Sequence, residues 1–190
     1  MWAVARLHYL DAGDLGADDQ QLLTNPANLF RALAHSPGAL RAILRFADWN
    51  WNRSRLDPRL RELASIQVGY STRTLYEYAH HLEHGRAAGL SDADLSAVAV
   101  ESAGGEGDVS VLERLVLRAA REVTLDLRLG DGTFRALHDH LSDELVVDLV
   151  VTIAFYNAIV RIIGALGIDL EPGEYELLER FPLPEGGKPH

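Results

Sequence analysis

The chain is built from apolar segments with helical spacing that are separated by short polar turns. In residues 58–68, apolar side chains recur at Leu60, Leu63, Ile66 and Val68, which is the spacing of one helix face. No segment combines sustained apolar–polar alternation with hairpin turns, which is the pattern of paired strands. The sequence therefore predicts an all-α fold.

Two of the predicted helices are close neighbours in the sequence. Residues 58–68 form the first, and residues 69–73 are predicted to be a short break. The second starts at the segment TLYE (74–77), which has the form of a capping box, and ends near Gly89. Because the connection is short, we expect an antiparallel helix hairpin at the centre of a helical bundle.

The remaining segments extend the helical pattern along the chain. No linker is long enough to divide it, so we predict a single domain over residues 1–190 with an extended C-terminal tail at 173–190. The other predicted helices are a short one capped by residues 91–94, two at 109–125 and 134–141, and a long apolar one that opens at 142–144.

The chain is acidic and contains no cysteine. It has 18 Lys and Arg residues against 28 Asp and Glu residues, a formal net charge of −10. Nucleic acid and anionic lipid both require clustered positive charge, so we predict neither as a partner. Without cysteine, the chain can form no disulfide, no thiolate metal site and no dithiol redox centre.

The apolar segment 145–166 is long enough to span a bilayer. Asp148 and Arg161 interrupt it, however, and a charge at the centre of a membrane is unfavourable. We therefore predict a buried helix in a water-soluble core. Because the opening segment MWAVARLHYLDAG lacks the apolar core of a signal peptide, we predict a cytoplasmic protein.

The segment 61–81 carries the residues best suited to acid–base chemistry. In a hairpin that turns near residues 71–72, Glu62 and His81 each lie about nine residues from the turn, and thus at a similar height. Glu77 lies one helical turn before His81. Because a nearby carboxylate raises the pKa of an imidazole and orients its ring, we predict that His81, Glu62 and Glu77 are catalytic.

Structural roles remain open for the same three residues. Glu77 could be the third residue of the capping box. Glu62 could pair with Arg59 or Arg73 at the surface, as most charged helix residues do. His81 could be a hydrogen-bonded histidine of the core.

Other polar residues raise the questions of metal and substrate binding. His80 and His84 have i,i+4 spacing, but no HExxH pattern or second ligand cluster accompanies them, so we predict no metal and a solvated position for His84. Asn157 and Arg161 share one face of the last long helix. Arg161 lies among apolar residues and needs a partner, either a carboxylate of the protein or of a neighbouring subunit, or an anionic substrate.

Three segments carry a resemblance to a known family. They are NLFRALAHSP, the run LDPRLRELASIQVGYSTRTLYEYAHHLEHGRAAGLSDADL, and LVVTIAFYNAIVRIIGALGIDLEP. Over residues 25–172 the chain resembles the carboxymuconolactone decarboxylase-like family, which includes alkyl hydroperoxidase D. The resemblance implies an all-α alkyl hydroperoxidase D-like bundle, a homo-oligomer that is a trimer or a hexamer, and no organic cofactor.

The redox members of this family use a glutamate, a Cys-x-x-Cys pair and a histidine four residues after the second cysteine. Glu62 and His81 match the glutamate and the histidine, whereas Thr74 and Glu77 stand at the two cysteine positions. Thiol peroxidase activity is therefore excluded. The resemblance instead implies a lyase or isomerase, of the type that protonates a carbon as carbon dioxide leaves a lactone carrying a carboxylate.

Our prediction is thus a cofactor-independent acid–base enzyme that acts on a small organic acid or lactone. His81 would transfer the proton, and Glu62 would orient it. Tyr76 would donate a phenol hydrogen bond to the substrate, and Asn157 and Arg161 would bind its carboxylate. The alternative is a non-catalytic helical oligomer that binds a ligand or serves a structural role.

Overall fold

Helices dominate the structure, a computed structural model that describes residues 5–173 and 175–184. These residues form α-helices and two short 3-10 turns and no β-strand, which confirms the prediction of an all-α fold. In chain order the helices are α1 (Asn28–Leu33), α2 (Pro37–Asn52), α3 (Pro58–Thr72), α4 (Leu75–Ala87), α5 (Asp92–Ser102), α6 (Val111–Leu125), α7 (Asp131–His138), α8 (Asp143–Leu166) and α9 (Glu176–Arg180).

The chain divides into two compact units. One contains the described residues of Met1–Ser54 together with Ile162–Gly173, and the other contains the described residues of Arg55–Arg161 and Glu174–His190. Helix α8 contributes to both, since its last five residues belong to the first unit. The single domain over 1–190 stays a prediction.

The first unit joins the N-terminal segment to the residues that follow α8. The backbone N–H of Arg6 donates to the carbonyl of Leu166 at 2.9 Å. Asn28 Nδ2 donates to the carbonyl of Asp169 at 3.0 Å. A small apolar cluster around the fully buried Leu40 packs α2 against the N-terminal segment.

Helix α3 lies at the centre of the second unit. Every residue from Leu60 to Gly69 is buried, so the helix has no solvated face in this stretch. Helices α4, α5 and α6 pack against it. The buried polar residues of α3, which include Glu62 and Gln67, must therefore find partners within the protein.

Helices α3 and α4 form the predicted hairpin, but the connection is shorter than expected. Helix α3 continues to Thr72, so the predicted break at 69–73 is wrong except at its last residue, Arg73, which has a left-handed conformation (φ 55°). Gly69 allows a close approach: a Cβ there would lie 3.0 Å from the backbone N and Cα of Tyr78. This contact sets the spacing of the two helices.

Helix α4 begins at the predicted position without the predicted capping box. Thr74 is its N-cap, but the threonine side chain makes no capping hydrogen bond. Its hydroxyl bonds instead to the hydroxyl of Thr72 at 2.9 Å. The carboxylate of Glu77 therefore does not take part in a capping box.

Two predictions concern the last part of the chain. Helix α8 is long and apolar enough to cross a membrane by length and composition, as the core helix of a folded domain can also be. Its residues Leu149, Ile153 and Tyr156 lie in the core of the second unit. The extended tail predicted for 173–190 is wrong for Glu176–Arg180, which is helical because Leu177 packs into that core. Residues 174 and 185–190 lie outside the described residues.

Candidate functional site

The contact between Glu62 and His81 is the centre of the candidate site. Glu62 is completely buried on α3, and His81, on α4, is 4% exposed. The imidazole Nδ1–H donates to Glu62 Oε2 at 2.7 Å. The hairpin thus brings the two side chains together, as the equal distances from the turn predict.

Glu77 approaches the opposite side of the same ring. Its Oε1 lies 3.1 Å from His81 Nε2, although the orientation falls short of a hydrogen bond. Glu77 is 3% exposed. The imidazole therefore lies between two buried carboxylates, one from each helix of the hairpin, and each ring nitrogen faces one of them.

Glu62 has a second partner that the sequence analysis missed. The Nε of buried Arg61 donates to Glu62 Oε1 at 2.9 Å. The predicted alternative, a surface pair with Arg59, is wrong, because Arg59 Nη2 binds Asp94 and Glu113 instead. Arg61 was overlooked because adjacent residues on a helix point in different directions.

The electrostatics of the cluster favour a positively charged imidazole. Burial by itself lowers the pKa of His81, but the negative charges of Glu77 and Glu62 outweigh it and raise that pKa to about 10. Burial raises the pKa of Glu62, but the charge and hydrogen bond of His81, together with Arg61, hold it below its usual value. At neutral pH the site therefore contains an imidazolium hydrogen-bonded to an ionised Glu62.

His84 and Tyr156 complete the surroundings of His81. The ring of His84 lies edge-on to that of His81, with centroids 5.2 Å apart, and the ring of Tyr156 on α8 lies 4.5 Å away. Burial and the charge of His81 lower the pKa of His84 to about 4, so His84 is neutral at neutral pH. The solvated position predicted for His84 is wrong, because its ring packs against the cluster.

The predicted substrate-binding residues, Tyr76, Asn157 and Arg161, have contacts with other residues of the second unit. Tyr76 packs its ring on that of His80, with centroids 4.3 Å apart. Asn157 Nδ2 donates to Thr124 Oγ1 on α6 at 2.9 Å, and Arg161 Nη1 donates to Asn157 Oδ1 at 2.8 Å. The bond from Asn157 therefore connects α8 to α6, the bond from Arg161 stays within α8, and neither goes to the imidazole.

The same cluster contains a group that could hold a metal ion. One ligand atom each from Glu62, His81 and His84 lies within 4.8 Å of the others, and a carboxylate with two imidazoles is a ligand set for several transition metals. The ring nitrogens of His81 already face two carboxylates, and a metal would have to displace the imidazole proton. The contacts of the cluster are those of a proton-binding site.

The fold is similar to that of several solved proteins. One is an uncharacterized peroxidase-related protein with an alkylhydroperoxidase AhpD core from Ralstonia eutropha JMP134, with 22% identity, a TM-score of 0.77 and coverage of 93% of this chain and 96% of that chain. Another is a peroxidase-related protein from Silicibacter sp. TM1040, with 19% identity, a TM-score of 0.69 and 82% of both chains covered. These similarities define the class: an all-α protein with the AhpD-like fold.

A third similar structure is a protein of unknown function from Agrobacterium tumefaciens that is described as an AhpD candidate for antioxidant defence. It shares 23% identity and a TM-score of 0.63 over 74% of this chain and 96% of that one. No curated protein matches the sequence. Residues 37–122, which contain the whole α3–α4 hairpin, match the profile of the Carboxymuconolactone decarboxylase family. The chain thus has the AhpD-like fold, matches this family over residues 37–122 and contains no cysteine.

Proposed function

We propose that the Glu62–His81–Glu77 cluster transfers a proton, without a cofactor, to or from a carbon atom of a small organic acid or lactone. One observation carries the proposal: a buried imidazole with Nδ1 at 2.7 Å from Glu62 and Nε2 at 3.1 Å from Glu77. This arrangement stores a proton between three groups that can each hold it.

Stability alone does not account for such a cluster. Taking two carboxylates and an imidazolium out of water is costly, and well-packed apolar side chains of similar volume are often at least as stable. Clusters of strongly perturbed titratable groups are accordingly more frequent at functional sites. The burial of Glu62, Glu77 and His81 in one place therefore favours a chemical role.

The roles follow from the charges. The imidazolium of His81 is the stored acid, and Glu62, fixed by Arg61, orients the ring. Glu77 stands on the other nitrogen, in the position that a cysteine takes in the redox relatives, and would pass the proton between His81 and the substrate. An acid of this strength readily protonates an enolate carbon.

A decarboxylation would proceed in the following steps. The bond between the substrate carbon and its carboxylate breaks, carbon dioxide leaves, and the bonding electrons remain as an enolate. The enolate carbon takes the proton of the cluster and forms a C–H bond. Water then returns a proton to His81.

The test is proton exchange in D₂O. A panel of small β-keto acids, lactones and lactone carboxylates would be incubated with the protein, and deuterium incorporation and carbon dioxide release would be followed by NMR. Replacing the imidazole by His81→Asn, or the inner carboxylate by Glu77→Gln, should reduce turnover at least a hundredfold, as loss of acid–base groups does. The control is Glu83→Gln, an exposed glutamate on the same helix.

The outcomes separate the two functions. Turnover that is lost in both site variants and kept in Glu83→Gln supports the acid–base enzyme. Binding of a panel compound without exchange or release in the wild-type protein would instead support a non-catalytic ligand-binding oligomer and contradict our proposal.

We also propose that the protein is a cytoplasmic homo-oligomer, a trimer or hexamer. On α8, Val147 is 58% exposed, and Ala154 and Ala158 are exposed on the same side of the helix. A run of exposed apolar residues on one helix face favours contact with another protein surface. The same face of a second copy would cover it in a closed symmetric assembly.

A further inference from the structure

A second, charged site lies at the end of α5. A cavity of about 460 Å³ is formed there by the Gly104–Gly105 turn and the outer face of α6. Three arginines, Arg114, Arg118 and Arg121, line it. Their spacing of four and three residues places the guanidinium groups on one face of the helix. None of Glu62, Glu77 and His81 lines this cavity.

Arg121 is the most firmly fixed of the three. Its Nη1 donates to Gln67 Oε1 at 3.1 Å, and Gln67 is fully buried on α3. Gln67 is itself held by Ser71 and Ser102 at 2.9 and 3.0 Å. The guanidinium of Arg121 is thus held in place by a hydrogen-bonded residue of the core.

The charge of Arg121 is only partly compensated. Its side chain is 19% exposed, and the nearest carboxylate oxygen in the described structure, Glu101 Oε2, lies 4.0 Å from Nη2, too far for a hydrogen bond. Burial lowers the pKa of Arg121, as expected for a cation removed from water. An anion at Nη2 would supply the missing compensation.

Arg118 adds donors that the protein leaves available. Its Nε donates to Glu122 Oε1 at 2.9 Å, and no other hydrogen bond of this guanidinium is found among the described residues. A guanidinium carries five N–H donors in a planar fork that fits carboxylate and phosphate oxygens. The unused edge of Arg118 can therefore bind an oxyanion.

Three carboxylates, those of Glu101, Glu122 and Asp126, also line the cavity. They equal the guanidinium groups in number, so anion binding here depends on unused N–H donors rather than on a net positive charge. Glu101 Oε1 accepts from Arg114 Nε and from the backbone N–H of Gly107. Glu122 accepts from Arg118, from the backbone N–H of Gly130 and from the hydroxyl of Thr133. Glu101 Oε1 and both carboxylate oxygens of Glu122 are thus committed to hold the walls of the cavity in place.

We propose that this cavity binds a small molecule bearing a carboxylate or phosphate group, held by Arg118 and Arg121. The anion lies between the free edge of Arg118 and the partly buried Nη2 of Arg121. Arg114, whose Nη2 binds the carbonyl of Gly107, shapes the wall and adds positive charge. The site stands apart from the proposed proton-transfer reaction and does not depend on it.

The experiment is isothermal titration of the full-length protein with malonate and, separately, inorganic phosphate, at constant ionic strength set by NaCl. The variants are Arg118→Gln and Arg121→Gln, and the control is Arg135→Gln, an exposed arginine on α7. The wild-type protein should bind at least one of the anions saturably. Arg118→Gln and Arg121→Gln should each weaken binding about tenfold, while Arg135→Gln leaves it unchanged.

Comparison of the two anions tells which group the site prefers. The side chain of Arg118 is exposed, so we expect Arg118→Gln to fold. This variant tests the proposal even if thermal unfolding shows that Arg121→Gln is unstable. The proposal is overturned if neither anion binds saturably, or if Arg118→Gln binds as the wild-type protein does. Because none of these residues belongs to the Glu62–His81–Glu77 cluster, either result leaves the proton-transfer proposal to its own test.

Discussion

Glu62 Oε2 and His81 Nδ1 lie 2.7 Å apart although 19 residues separate them in the sequence. The contact exists because α3 and α4 are antiparallel and are joined by only Arg73 and Thr74. It places a carboxylate and an imidazole in the buried centre of the second unit, where their mutual attraction is weakly screened. Most of the chemistry proposed for the protein follows from this pair.

The first prediction concerns the coupling of the pair. Neutralising one carboxylate should lower the pKa of His81 from about 10. Burial lowers this pKa and the nearby negative charges raise it, so removing one negative charge leaves the effect of burial less opposed. NMR titration of His81 in the wild-type protein, Glu62→Gln and Glu77→Gln measures the change. A His81 pKa that is the same in all three proteins would mean that the carboxylates do not act on the imidazole.

The second prediction is a loss of stability at alkaline pH. The pKa of His81 is raised in the folded protein from 6.5 to about 10, so folding favours the protonated form. This contribution is fully present below pH 6.5 and is lost as the pH rises through about 10. It amounts to a few kcal/mol at most, since one pKa unit corresponds to about 1.4 kcal/mol.

Urea unfolding at pH values between 6 and 10 measures this effect. The free energy of unfolding of the wild-type protein should fall over this range, and that of His81→Gln, which lacks the titrating group, should change much less. Equal slopes in the two proteins would show that His81 contributes nothing to the pH dependence.

The third prediction concerns the crossing of α3 and α4. Gly69→Ala places a Cβ 3.0 Å from the backbone of Tyr78, which cannot move aside as a flexible side chain would. We expect a destabilisation of about 1–3 kcal/mol and a fall in the pKa of His81, because the helices must separate. Thermal unfolding and NMR titration measure the two effects.

Gly132→Ala is the matched control for this substitution. Gly132 lies in α7, and nothing stands within 4 Å of its added Cβ. Alanine is the better helix former by about 0.8–1.0 kcal/mol, so this variant should be as stable as the wild-type protein or more so. If Gly69→Ala behaved in the same way, the close approach would not limit the helix spacing.

The fourth prediction concerns self-association. Val147→Glu places a charge on the exposed apolar face of α8 and should shift the protein to smaller species in sedimentation velocity. Val111→Glu is the control, because Val111 is 62% exposed but begins α6. A monomeric wild-type protein would contradict the oligomer, and equal effects of both variants would contradict the assignment to α8.

Local pattern was sufficient for much of the fold. Helical spacing at Leu60, Leu63 and Ile66 predicted α3, and the serine caps predicted the starts of α5 and α8. The capping box at Thr74 and Glu77 was wrong, because each side chain has another nearby partner: the Thr74 hydroxyl bonds to that of Thr72, and the Glu77 carboxylate faces His81 one turn further along α4. The prediction of an extended C-terminal tail was wrong for residues 176–180, because Leu177 packs into the core.

The sequence by itself determined the chemistry that is possible. It contains Glu62, Glu77 and His81 at spacings that a short hairpin can align, and its lack of cysteine excludes a dithiol. Only the tertiary structure decided which groups meet. Glu62 with His81, Tyr156 against His81, and Asn157 with Thr124 are contacts between different helices, so all three depend on helix rotation and packing. The charge state of His81 depends on burial as well, because desolvation and the nearby carboxylates act only once the helices have packed.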